Sequence, residues 1–162
     1  MDENVITMQL ILAGALAAGT AIWGWFGWLV ILWAASMALD YITGTLAALK
    51  AGEWSSQDAK SGLWHKGGMI LVVLIAALTD LAVSLLLRSG VFDFPFDHSI
   101  LLTVIAMAWY TLTELGSALE NATKLTDRAP SWLAKVLKIA AKTVDSTGEQ
   151  IAPDGKDGGG DG

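Results

Sequence analysis

Three carboxylates stand out by their setting: Asp40, Asp80 and Glu114 each interrupt a stretch that is otherwise rich in apolar residues. A charge held at the centre of a bilayer costs about 2.5–3.5 kcal/mol on insertion scales, so such a group must face protein or water, take up a proton, or find a partner. The chemistry these residue types could do is to line a polar helix interface or a water-filled opening, together with the neighbouring Thr43, Gly44 and Ser117. The plainer alternative is local satisfaction within one helical bundle, for instance by Thr43, Thr79 or Ser84. For Glu114 the plainer reading leads, because it falls near the inner end of its apolar run, where it can reach the headgroups. No enzyme constellation accompanies them: there is no Walker loop, no zinc-spaced His/Cys set and no nucleophile elbow. The two histidines, His65 and His98, fall in segments expected on opposite sides of a membrane, so they do not suggest a metal site. Cysteine is absent, which removes disulfides and thiolate chemistry. No cofactor and no catalytic residue is expected.

The elements that must carry these acids are apolar blocks. Of 162 residues, 54% are hydrophobic and only 16% charged, with a mean hydropathy of +0.52. The segments Met8–Ala38 and Gly67–Leu87 contain one charged residue between them, Asp80, and Ser99–Thr113 contains none. Blocks of this length with so little charge mean lipid rather than a water-facing core. The net charge of −6 comes largely from the ends and connections, and no basic patch suggests nucleic acid. An acidic start, Met1–Asn4, fits a retained first span better than a cleaved signal peptide.

Val5–Ala48 is longer than one span needs, and Trp23-Gly24-Trp25-Phe26-Gly27-Trp28 interrupts it. Tryptophan favours the membrane interface and glycine eases a turn, which predicts a hairpin. The expected fold is therefore an all-α integral membrane bundle of four transmembrane helices, near 5–22, 27–49, 67–87 and 99–125, within a domain covering 1–126. If the first stretch is one long tilted helix, the bundle has three. Faces such as Ala13/Ala17/Ala21 and Gly44/Ala48 have the spacing that lets helix backbones approach. Residues 127–146 are expected to form a basic amphipathic helix, with Lys135, Lys138 and Lys142 on one face, suited to an anionic membrane surface or to packing on another copy or a loop. The Gly- and Asp-rich stretch 147–162 is expected to be a disordered tail. Lysine and arginine collect in 50–66 and in 124–142, which places both, and the C-terminus, in the cytoplasm.

Specific residues then match a known pattern. Asp40-Tyr41-Ile42-Thr43-Gly44 closes a span and is followed by Lys50, Ser55-Ser56, Gly62 and Lys66. Further on, Glu114, Ser117, Glu120 and Asn121 precede Pro130 and a Leu-rich stretch. Over roughly Leu29–Leu137 this resembles the toxin-secretion and phage-lysis holin family, whose members carry an Asp-x-x-Thr-Gly segment and a Glu-x-x-Ser-x-x-Glu-Asn signature in this order. The Trp cluster and the acidic Gly-rich tail depart from the pattern, and the usual charged holin tail is represented only by the basic 124–142 stretch. The resemblance implies a protein that accumulates in the bacterial inner membrane, associates with itself, and opens lesions through which an endolysin reaches the cell wall; some relatives are linked to toxin release. Two other readings stay open: a small transporter or channel using Asp40 and Asp80, and a membrane organiser that forms no pore and recruits a partner through its basic C-terminal segment.

Overall fold

The computed structural model describes residues 3–91, 101–126 and 130–151. Over these residues the chain is helical and without strands, as expected, with α1 over Glu3–Ala51, α2 over Ser56–Arg88, α3 over Leu101–Leu125 and α4 over Ser131–Ile151. Three helices among the described residues are long and apolar enough to cross a membrane: Gly24–Ala51, Ser56–Arg88 and Leu101–Leu125. They correspond to the last three of the four expected spans. The first expected span, near 5–22, is not a separate helix but the N-terminal part of α1.

Helix boundaries follow from local chemistry. Inside α1 the backbone leaves helical geometry at Gly24, with φ 63° and ψ −174°. That positive φ is open to glycine at little cost. The break falls within the Trp cluster, but it is a one-residue departure with no loop around it. At the far end of α1, Glu53 N donates to Ala48 O and Gly52 N to Leu49 O, with Gly52 at φ 72°. This paired arrangement with glycine in the left-handed region satisfies the last carbonyls of a helix. Only four residues then separate α1 from α2.

The start of α2 differs from the expectation of a polar loop over 50–66. Ser55 is its N-cap: the Ser55 hydroxyl accepts from Asp58 N and donates to the Asp58 carboxylate at 2.6 Å. The Ser-x-x-Asp spacing is a helix-start signature, and here it wins over the local polarity. The helix consequently begins about three turns earlier than expected and carries Lys66 into its body.

The bundle is arranged around α3, which packs on α1, α2 and α4, while α1 and α2 touch each other little. Its buried stripe, Thr103, Met107, Thr111, Glu114 and Ala118, has helical spacing and is mostly polar. A small apolar core joins the helices through Trp33, Met69, Val73 and Met107. The large aliphatic residues of α2 point outward instead, with Leu74, Ile75, Leu78 and Leu81 all more than half exposed. Lipid tails are as apolar as leucine, so leucines gain nothing by burial between helices, and small and polar residues do the packing.

The final helix extends past its expected end at 146, to Ile151. Leu133, Leu137, Ala140, Val144, Gly148 and Ile151 keep one half-buried face going, which is why it does not stop at Thr147. Residues 152–162 of the expected tail lie outside the described residues, as does His98.

Candidate polar site between the helices

Asp40, Lys66 and Glu114 come from three different helices and meet. Asp40 lies eleven residues before the end of α1, Glu114 eleven before the end of α3, and Lys66 ten after the start of α2. At 1.5 Å per residue all three sit at one level, about 15–17 Å in from the same end of the bundle. Lys66 Nζ is 2.9 Å from Asp40 Oδ2 and also pairs with Glu114 Oε2. The side chains are 11%, 17% and 4% exposed for Lys66, Asp40 and Glu114, so the cluster is withdrawn from solvent. Asn121, two turns beyond Glu114, donates to Asp40 Oδ1 at 3.2 Å and accepts from Lys124 Nζ. Each carboxylate is thus met by a charged or amide donor, which is what makes burial tolerable.

The small residue beside the cluster has a clear role. A Cβ on Gly44 would stand 3.3 Å from Asn121 Nδ2, so the bare backbone lets α3's amide reach across to α1. Nearby, Lys50 Nζ donates to Lys124 O and Leu125 O at 3.0 and 3.1 Å, covering the last carbonyls of α3 from the last turn of α1. A lysine there complements both the open carbonyls and the helix dipole. From this end a cavity of about 230 Å³ leads inward, with Glu53, Trp54 and Asp58 around it and Asp40, Lys66 and Asn121 in its wall.

The third acid is elsewhere. Asp80 is buried on α2 and accepts from Leu102 N at 3.1 Å, Thr103 N at 2.8 Å and Thr103 Oγ1 at 2.6 Å. It acts as an N-cap supplied by a neighbouring helix, filling open donors of α3's first turn. Lys66 and Asp80 are fourteen residues apart on α2, about 21 Å along its axis, so Asp40 and Asp80 do not share a site.

The remaining expected residues divide. Thr43 bonds back to Leu39 O and Asp40 O on its own helix and is not the partner of Asp40. Thr79 likewise bonds to Ile75 O and does not serve Asp80. Ser117, Ser55 and Gly62 line the cavity. Ser56 is exposed at the first turn of α2, and Glu120 is exposed on α3. Pro130 directly precedes α4, and its carbonyl accepts from Leu133 N. Lys135, Lys138 and Lys142 are exposed on α4, on the side away from α3. No group of acids and histidines among the described residues could hold a metal ion. What sequence reasoning missed was the role of Lys66 as the counterion; the signal that could have found it was the Ser55-x-x-Asp58 cap, which turns the supposed loop into helix.

Comparison with known proteins bears on these same residues. The model of the bacteriophage holin family matches residues 17–142, a range that includes Asp40, Lys66, Glu114 and Asn121. An uncharacterized protein of Clostridium perfringens (strain 13 / Type A) is 33% identical over 100 residues, which are 62% of this chain and 65% of that protein. The match therefore spans just under two thirds of the relative's length. No solved structure matches the chain.

Proposed function

Because the chain belongs to the bacteriophage holin family, a family of multi-pass membrane proteins and not of enzymes, we propose that it assembles with copies of itself in the bacterial inner membrane and opens lesions that let an endolysin reach the cell wall. The observation that carries this reading is that residues of two signatures, distant in sequence, meet in one buried cluster tying three membrane-length helices together. The cluster makes a compact unit whose outward aliphatic faces suit lipid, and such units can accumulate in a bilayer before they assemble. In this reading the basic stretches put the α1–α2 and α3–α4 connections in the cytoplasm, the side from which α4 starts.

Asp40 and Glu114 serve the interior of one chain in this reading, as does Asp80, and none of them is needed to face a lumen. That argues against a transporter built on Asp40 and Asp80, since a coupled ion site would need its carboxylates together and free to change partners. The deciding experiment is inducible expression in bacteria carrying a potential-sensitive dye, with and without a co-expressed endolysin. The expected result is abrupt depolarisation, followed by lysis only when the endolysin is present. Ion-selective flux without endolysin-dependent lysis would favour a transporter, and an undisturbed membrane potential would favour an organiser that forms no pore.

A further inference from the structure

The last helix is not a detached surface element. Residues 126–130 join α3 to α4, and the chain then doubles back: a Cβ on Gly148, near the end of α4, would stand 3.6 Å from Ile105 Cγ2, near the start of α3. Val144 and Gly148 line a cavity with Leu102, Ile105 and Trp109. The 21 residues of α4 reach about 31 Å, so the helix runs antiparallel along most of α3, and it packs on no other helix among the described residues. Leu133, Leu137, Ala140, Val144 and Gly148 form its half-buried face. Lys135, Lys138, Lys142, Asp145 and Glu149 are exposed on a different face.

This sets five charged groups along the outside of the bundle, at the depth of a helix that is itself membrane-length and apolar. At roughly 2.5–3.5 kcal/mol for each charge near the bilayer centre, such a face cannot rest against lipid. The exposed face of α2 is the reverse, since its outward residues are leucines and isoleucines. The molecule is therefore apolar on its α2 side and charged on its α4 side. Copies arranged with α2 outward and α4 inward satisfy both faces at once.

We propose that α4 is the element that lines the aqueous opening, with Lys135, Lys138 and Lys142 exposed to water nearer the cytoplasmic end and Asp145 and Glu149 nearer the other. This rests on the reading that the chain assembles and opens the membrane. Trp132, Val136 and Ile139, exposed at i, i+4, i+7 spacing beside the charged face, stand where the next copy would meet it.

The absence of native cysteine allows a direct test on the full-length chain reconstituted in vesicles. The double variant Ile105→Cys/Gly148→Cys should form a disulfide on oxidation and keep the wild-type leak, since it locks α4 where the structure has it. The triple variant Lys135→Glu/Lys138→Glu/Lys142→Glu should raise the permeability of cations over anions several-fold, read as a shift in reversal potential across a KCl gradient. A matched change on the lipid side, Leu78→Gln, should leave that selectivity unchanged. Wild-type leak with no cross-link, or with selectivity indifferent to the triple change, overturns the assignment; weaker binding to anionic vesicles alone would then place α4 on the headgroups. No leak from the wild-type chain overturns the lysis reading, and this inference with it.

Discussion

At the scale of single residues, the central fact is that one lysine answers two carboxylates. Lys66 lies between Asp40 and Glu114, with Asn121 taking the remaining oxygen of Asp40. Removing one partner of a buried ion pair leaves an uncompensated charge and typically costs about 3–5 kcal/mol, whereas replacing the whole set by neutral groups of similar shape can be close to neutral. Lys66→Met is therefore expected to destabilise the bundle by several kcal/mol, more than Asp40→Asn or Glu114→Gln alone. Adding both of those changes to Lys66→Met should recover most of the loss. Denaturant unfolding in detergent micelles would measure this, and a Lys66→Met variant as stable as the wild type would show that the triad contributes nothing.

At the scale of helices, the ends are set by groups that other helices supply. Asp80 from α2 caps the first turn of α3, and Lys50 from α1 covers its last carbonyls, so α3 is held at both ends by its neighbours. An N-cap carboxylate is worth about 0.5–2 kcal/mol. Asp80→Ala should accordingly speed hydrogen exchange at the Leu102 and Thr103 amides by roughly twofold to thirtyfold, at about 1.4 kcal/mol per tenfold, and leave Asp40 and its partners in place. Unchanged exchange at those two amides would remove Asp80 from the capping role. Within the polar stripe buried along α3 the logic is different: Thr111 bonds back to Met107 O, so its hydroxyl is satisfied without a partner helix.

At the scale of the whole molecule, the distribution of surfaces decides where it can live. Much of its large aliphatic side-chain area faces outward, and among the described residues the buried apolar cluster is made up of four residues. In water such a surface would drive aggregation, while in a bilayer it is at rest. The chain is expected to stay with the membrane fraction through an alkaline carbonate wash and to leave it only with detergent. A soluble monomer after that wash would contradict the arrangement. The depolarisation test and the lining of the opening by α4 belong to this same scale, because both depend on how complete molecules present their apolar and charged sides to one another.

The sequence by itself determined the solvent. The blocks Met8–Ala38, Gly67–Leu87 and Ser99–Thr113, with Asp80 their one charged residue, are a matter of composition and length, and they call for helices in lipid whatever the packing. It also determined which residues deserved notice, since Asp40, Lys66, Glu114 and Asn121 stand out as embedded acids or motif positions. Pairing was decided only in three dimensions. Whether Asp40 answers Thr43, Asp80 or Lys66 depends on the rotation and level of three helices, which side-chain spacing along one helix does not encode. The same holds for α4: its basic face was plain from lysine spacing, but its course back along α3, and hence what those lysines face, follows from contacts between elements that are far apart along the chain.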